Sequence, residues 1–457
     1  MRARRTSSDT LRRAGLIGAL ACVSLALTAW AVGAHEPAEE VDEARRAAER
    51  AAAAESALVR SEGSSSPLRD VGAGFAPEEL SVLPDDWHEA GLDLDEAEQR
   101  DGRLVQELSN GLEVEFTIDP ELQTHLEALL DEYDVPHGGV AIVEPESGRV
   151  RALVSHTTHQ PEIPHLARSA VAPAASTFKI VTAAALIESA GINWRNETCY
   201  HGGASHLTES NIKGDPDRDT RCKDLGDALA WSINSIIAKL AYHRLDRSDL
   251  RTWAERFGFN TQIPFELPVE RSEAEVVRDP LERARTAAGF WHTYLSPLHG
   301  ALIGASLRNG GLLMRPSVIE QVETPDGKVL ESFEPEVLRR VMDERTANTL
   351  AELLEGTTRK GTASDEFEGR AAFPRDVQSA GKTGTLANDD PYLSFTWFVG
   401  FAHHREFGDR DAAVGSLICN TPKWRIKGPY AASEGIRKFF DLRESRGREG
   451  DREVAGK

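Results

Sequence analysis

Ser176-Thr177-Phe178-Lys179 is followed by Ile180-Val181-Thr182-Ala183-Ala184-Ala185-Leu186-Ile187, a short polar-capped opening to an apolar run. The apolar residues recur at helical spacing to about Glu188, so the serine falls at a helix start and the lysine one turn later on the same face. A hydroxyl and an amine thereby become neighbours. Serine is a poor nucleophile until its proton is taken, and a lysine takes it when burial or a nearby cation lowers its pKa. The positive end of a helix also favours an oxyanion.

Ser and Lys at this spacing arise by chance about once in a chain of this size. The pattern recurs at Ser210-Asn211-Ile212-Lys213, in a polar stretch before Gly214 and Pro216 that opens no apolar helix. Taken alone, Ser176 reads better as a helix cap. Two further patterns shift that balance: Ser232-Ile233-Asn234 is the only Ser-x-Asn in the chain, and Lys382-Thr383-Gly384-Thr385 carries the only Lys-Thr-Gly. Separately, Ser232 is an N-cap and Lys382 a solvated strand lysine. In this chain order the three belong together.

Outward from these motifs, Leu112, Val114, Phe116 and Ile118 alternate after the turn signal Asn110-Gly111, and Asp119-Pro120 opens a helix to roughly Tyr133. Gly138 to Glu144 and Arg149 to Ser155 read as a hairpin around Pro145-Glu146-Ser147-Gly148. Helical periodicity marks Asp224–Leu245, Ser248–Phe257 and Ser296–Leu307. Strands return at Ser379–Leu386, Phe395–Ala402 and Ala412–Cys419, before an amphipathic helix over Ala431–Leu442. The expected fold is α/β, a mostly antiparallel central sheet covered by helices and interrupted by a helical subdomain.

Ser-x-x-Lys, Ser-x-Asn and Lys-Thr-Gly together resemble the signature of penicillin-binding proteins and serine β-lactamases. The resemblance extends to Phe116–Gln123, to Leu295-Ser296-Pro297-Leu298-His299 with Asn309-Gly310-Gly311, to Gly361-Thr362-Ala363 and to Thr396–Phe401, covering residues 112 to about 442. It implies that Ser176 is acylated, that Lys179 accepts its proton and that Lys382 depresses the Lys179 pKa. It also implies that Ser232 relays the proton to the leaving amine and that Asn234 bonds the substrate amide. Lys382, Thr383 and Thr385 would hold the terminal carboxylate, and Gly384 would let the substrate lie along the strand. The backbone N–H groups of Ser176 and Thr385 would form the oxyanion hole. No cofactor or metal is implied.

The 457 residues, 40% hydrophobic, suffice for a core of enzyme size, and the net charge of −21 excludes general affinity for nucleic acid. Arg2, Arg4, Arg5, Arg12 and Arg13 precede an uncharged run from Ala14 to Ala34. This orders the chain as a cytoplasmic tail (1–13), a signal anchor or signal peptide (14–34), a stalk and linker (35–102), a transpeptidase domain (103–445) and a disordered tail (446–457). The expected location is the bacterial inner membrane, single-pass, with the catalytic domain in the periplasm. In that oxidising compartment Cys199 and Cys222 make the natural disulfide, against a zinc reading with His201 and His206 as further ligands. Cys419 reads as an inert core thiol. His156-Thr157-Thr158-His159 and His165 read as surface-loop histidines.

Residues 35 to 111 are too few for a glycosyltransferase domain, so a separate glycosyltransferase is an expected partner, beside peptidoglycan stem peptides and β-lactam antibiotics. The resemblance leaves D,D-transpeptidase, D,D-carboxypeptidase and endopeptidase open. Class A β-lactamases carry a Glu-x-x-Leu-Asn segment, which does not follow Ser232 here. Class D enzymes share Ser-Thr-Phe-Lys but have a Ser-x-Val second motif. Asn234 therefore favours a penicillin-binding protein, with a class D-like β-lactamase and a non-turnover sensor or scaffold as alternatives.

Overall fold

The computed structural model describes residues 83–455 except 85, 160–162, 204–205, 371–372, 390–391 and 407–410. The expected cytoplasmic tail, the anchor or signal peptide and most of the stalk lie outside these residues. Among the described residues no helix is long and apolar enough to cross a membrane.

Asp119 accepts hydrogen bonds from the N–H groups of Glu121 and Leu122 and so starts α1 (Pro120–Glu132), whose missing proline donor costs nothing in a first turn. Strands β1 (His137–Val143) and β2 (Val150–Thr157) follow as a hairpin. The chain then builds α2 (Lys179–Glu188), α3 (Asn234–Arg244), α4 (Pro297–Arg308) and α5 (Glu344–Arg359). It returns to the sheet as β3 (Val377–Asp389), β4 (Tyr392–His404) and β5 (Asp411–Asn420), and ends in α6 (Gly428–Ala455). The strand order is β3-β4-β5-β1-β2, antiparallel at every pairing. β3, which carries Lys382, therefore lies at an edge.

Successive side chains of a strand point to opposite faces, and here both faces are buried. Val140, Ile142, Val154, Phe398, Val414 and Ile418 join the leucines of α1 and Ile436, Phe439 and Phe440 of α6. Ala141, Leu153, Trp397, Val399 and Leu417 join the larger core that includes α2, α3 and α4. α4 lies directly on the strands. A Cβ on Gly304 would run into the Gly400 carbonyl oxygen, and one on Gly415 into that of Pro297, so backbone meets backbone there.

Several elements differ from expectation. Leu92 is already buried and Glu98–Arg100 pairs with Arg103–Glu107, so packed structure extends N-terminal of Arg103. These two strands, Glu113–Phe116, Ile319–Glu323 and Val329–Ser332 form a second five-stranded antiparallel sheet that periodicity did not separate from the first. Asp224–Leu245 is two helices, Leu225–Ala230 and α3, because Ser232 between them has φ +55°. α5 was not anticipated. Its buried stripe includes Thr346, Gly356, Thr357 and Thr358, poor helix formers that blur the apolar signal. α6 runs through Ala455, and Arg446 bonds to Asp119 at the start of α1.

His299 on α4 has no exposed surface; its Nε2 donates to the Phe257 carbonyl at 2.8 Å, and Nδ1 has no hydrogen-bond partner among the described residues. Burial pushes its pKa down to about 4. Below the ordinary histidine value the unfolded chain binds a proton that the folded chain refuses, so stability is lost as pH falls from the ordinary value towards the folded one. Between pH 7 and pH 5 this group should cost about 2 kcal/mol. Urea unfolding at the two pH values should show His299→Gln, which keeps the donor, losing less than the parent by about that amount; an equal loss in both would contradict it.

Candidate active site

Ser176 sits not in the first turn of a helix but in a 3₁₀ turn, Ala175–Phe178, that runs into α2. The turn is pinned on both sides. Thr177 Oγ1 donates to Ala174 O at 2.6 Å, and the buried Trp397 of β4 donates its indole N–H to Pro173 O at 2.9 Å. Ala175, just before the serine, has φ +50°, and Gly289 packs so tightly on the Ala175 carbonyl that a Cβ there would clash. Such strain survives only where the surroundings enforce it.

Lys179 has no exposed surface. Its Nζ contacts Ser176 Oγ and donates to Asn234 Oδ1 at 2.6 Å and Ser232 Oγ at 3.2 Å. The three motif residues from two distant stretches thus converge on one nitrogen. Burial first, and then the charge of Lys382, hold the Lys179 pKa well below the usual lysine range.

Lys382 is also fully buried, and burial brings its pKa down to about 7. Its ammonium donates to Thr383 O at 2.9 Å. Neither Lys382 nor Lys179 is among the described residues that line the open cleft, and the charge of Lys382 acts on Lys179. Gly384 lines the cleft. A Cβ there would press at 3.2 Å on Ala174 O, Ala175 Cβ and Thr177 Cγ2, so this glycine lets β3 approach the turn that carries Ser176.

The cleft, about 450 Å³, is lined by Ser176, Ser232, Asn234, Thr383, Gly384 and Thr385. Thr362, Trp231, Trp424 and Lys427 line it too, and none of these had a role assigned from sequence. Thr362 bonds Thr383 hydroxyl to hydroxyl at 2.6 Å, while its N–H donates to Ala230 O at 3.0 Å, linking β3 to the helix before Ser232. The resemblance at Gly361-Thr362-Ala363 was its only sequence signal.

Cys199 and Cys222 are joined by a disulfide across the paired strands Thr198–Tyr200 and Arg221–Lys223. Their sulfurs are thereby unavailable as thiolate ligands, and His201 instead pairs with Asp219 at 2.5 Å. Lys239, on α3, donates to Cys199 O at 2.7 Å and Asp219 at 2.5 Å, which ties this loop to the helix that begins with Asn234. Ser210 bonds to His201 at 3.2 Å and lies apart from the cleft lining. His156 belongs to β2, not to a loop. Among the described residues no cluster of three or more His, Cys, Asp or Glu suits a metal ion. Cys419 is buried on β5, which pushes its thiol pKa up.

The family model of the penicillin binding protein transpeptidase domain matches residues 138–427. The chain belongs to that family. It is 27% identical over 372 residues to the peptidoglycan D,D-transpeptidase PbpA of Mycolicibacterium smegmatis, covering 71% of this chain and 73% of the relative. To PbpA of Mycobacterium tuberculosis it is 28% identical over 327 residues, covering 64% of this chain and 65% of the relative. The structure of penicillin-binding protein A from M. tuberculosis as a ceftriaxone acyl-enzyme complex superposes with TM-score 0.59 and 25% identity, over 72% of this chain and 79% of that one.

Because the Lys382 charge helps to depress the Lys179 pKa, Lys382→Met should raise it. Titration followed by NMR of ¹³Cε-labelled lysines, with Lys179→Met used to assign the signal, should show Lys179 deprotonating at higher pH in the variant. An unmoved titration would remove Lys382 as its electrostatic neighbour.

Proposed function

We propose that this chain is a peptidoglycan D,D-transpeptidase, with Ser176 as the acylated nucleophile and D-Ala-D-Ala stem peptides as donors. The observation that carries the reading is the buried Lys179 amine touching Ser176, Ser232 and Asn234, all three of which line an open cleft. The names of the PbpA relatives support the reaction type. An inner-membrane anchor with the domain in the periplasm is part of the same proposal, supported by the arginine-flanked apolar run and the Cys199–Cys222 disulfide.

In the proposed cycle, neutral Lys179 takes the proton from Ser176 Oγ as that oxygen attacks the carbonyl of the penultimate D-Ala. The backbone N–H groups of Ser176 and Thr385 receive the oxyanion. The C–N bond breaks, and the proton passes from Lys179 through Ser232 to the departing D-alanine amine. An amine from a second stem peptide then attacks the ester and its proton returns by the same route. Thr383 and Thr385 hold the donor's carboxylate with neutral donors, while Lys382 works at one remove by keeping Lys179 basic but unprotonated.

Two measurements test this. Neither the glutamate segment of class A nor a Ser-x-Val second motif follows Ser176 in the sequence, so a penicilloyl adduct on Ser176 should persist. A deacylation barrier about 4 kcal/mol above that of an efficient hydrolase slows release roughly a thousandfold. Intact-protein mass spectrometry should find the adduct lasting minutes or longer, absent in Ser176→Ala and retained in Ser210→Ala. Rapid bicarbonate-stimulated turnover would point instead to a class D-like β-lactamase. For the second, Lys382→Ala should slow acylation equally for a β-lactam with a free carboxylate and for its ester, about tenfold for each unit by which the Lys179 pKa rises. A loss confined to the free carboxylate would return Lys382 to direct substrate contact.

A further inference from the structure

Away from the cleft, Ser210, His201 and Asp219 form a hydrogen-bonded row that the chemistry of Ser176 does not use. All three lie in the loop between the strands Thr198–Tyr200 and Arg221–Lys223, whose base the Cys199–Cys222 disulfide closes. Inside that loop Asn211 Nδ2 donates to His201 O at 2.9 Å. Lys239 of α3 and the N–H of Asp215 donate to Asp219 Oδ2 at 2.5 and 2.9 Å. The histidine and the aspartate are thus held from outside the row as well as within it.

The protons in this row have one consistent arrangement. Burial raises the Asp219 pKa, but hydrogen bonds from His201 and Lys239 outweigh it and bring the pKa down to about 2, so the carboxylate is ionised and can only accept. Its Oδ1 lies 2.5 Å from His201 Nδ1, which therefore carries the ring proton. In the neutral imidazole Nε2 is then a bare lone pair, and it faces Ser210 Oγ at 3.2 Å. Asp215 Oδ2, at 3.5 Å, is the more distant acceptor for that hydroxyl. His201 is buried, whereas Ser210 is partly exposed. The exposed Arg218 brings Nη1 to 3.5 Å from the same Oγ. A nucleophile, its base, a group that orients the base and a cation beside the reacting oxygen stand together.

We propose that Ser210 is a second nucleophile of this chain, activated by His201 and Asp219, and that it cleaves small carboxylic esters. Its Oγ attacks the ester carbonyl as its proton passes to His201 Nε2, and Arg218 receives the charge on the carbonyl oxygen. The C–O bond to the alcohol breaks, and the leaving oxygen takes the proton from Nε2. Water, deprotonated by the same nitrogen, then releases the carboxylic acid from Ser210. A single side-chain cation at an open surface stabilises an oxyanion less than an enclosed pair of backbone N–H groups, which suits an ester, whose alcohol leaves more readily than an amine. Lys213 of the Ser-x-x-Lys pattern takes no part, its Nζ being paired with Glu209 at 2.5 Å.

The test is made on Ser176→Ala, so that the first nucleophile is absent. This protein is offered p-nitrophenyl acetate and, separately, a fluorophosphonate probe, which phosphonylates activated serines. Ester hydrolysis should be measurable, and peptide mapping should find the probe on Ser210. Added to this background, Ser210→Ala should abolish both signals. His201→Gln should slow both about a hundredfold. Arg218→Gln, at an exposed position, should slow them about tenfold. Lys213→Gln should change neither. Thermal unfolding that matches the Ser176→Ala protein certifies each variant, and Ser210→Ala and Arg218→Gln carry the test should His201→Gln fail to fold. A Ser210 that takes no probe would overturn the proposal, as would hydrolysis undiminished in Ser210→Ala or equal labelling rates with and without the His201 imidazole.

Discussion

An ammonium with no exposed surface is among the most expensive groups a fold can carry, and Lys179 is one. It is tolerated by lowering its pKa towards the neutral amine and by supplying oxygens around it. Those oxygens come from Ser176 on its own turn and from Ser232 and Asn234, which bracket the start of α3. The site is therefore also the joint between the sheet-bound turn and the helical subdomain. Loss of either partner would leave a buried polar atom unmet.

The rest of the architecture brings those groups within reach. A wholly antiparallel sheet buried on both faces gives a stiff platform, and contact between glycine backbones sets α4 directly on it. Trp397 at the sheet centre hydrogen-bonds the segment before Ser176, and Gly384 lets β3 close on the turn itself. Lys382, buried on the same strand, lies near enough to bias Lys179. Two buried lysines whose charges repel favour the state in which at least one is neutral, which is the state a proton acceptor needs.

Farther out, the helical side is braced by covalent and ionic ties. The Cys199–Cys222 disulfide staples a loop whose Asp219 and Cys199 carbonyl both hold Lys239 of α3. Thr362 joins β3 to the helix preceding Ser232. α6 reaches back to α1 through Arg446 and Asp119. These contacts leave the cleft between β3 and Ser232 as the opening onto Ser176.

By itself the sequence determined the motif set, the family resemblance and the principal strands, because a period of two and an ordered trio of rare patterns survive in one dimension. It also separated Ser176 from the decoy at Ser210, since only the former opens an apolar helix. It did not reveal α5, whose buried face mixes Ala347, Leu350, Leu353 and Leu354 with threonines and a glycine, nor the second sheet, whose strands lie about two hundred residues apart in the Glu113–Phe116 to Ile319–Glu323 pairing. Burial of Lys382 and the presentation of Trp424 and Lys427 to the cleft were likewise decided only by tertiary structure. A lysine in a strand is solvated or sealed according to what packs on that strand, and a loop tryptophan faces a site only when the loop is anchored beside it. Both depend on contacts between residues distant in the chain, which local pattern does not encode.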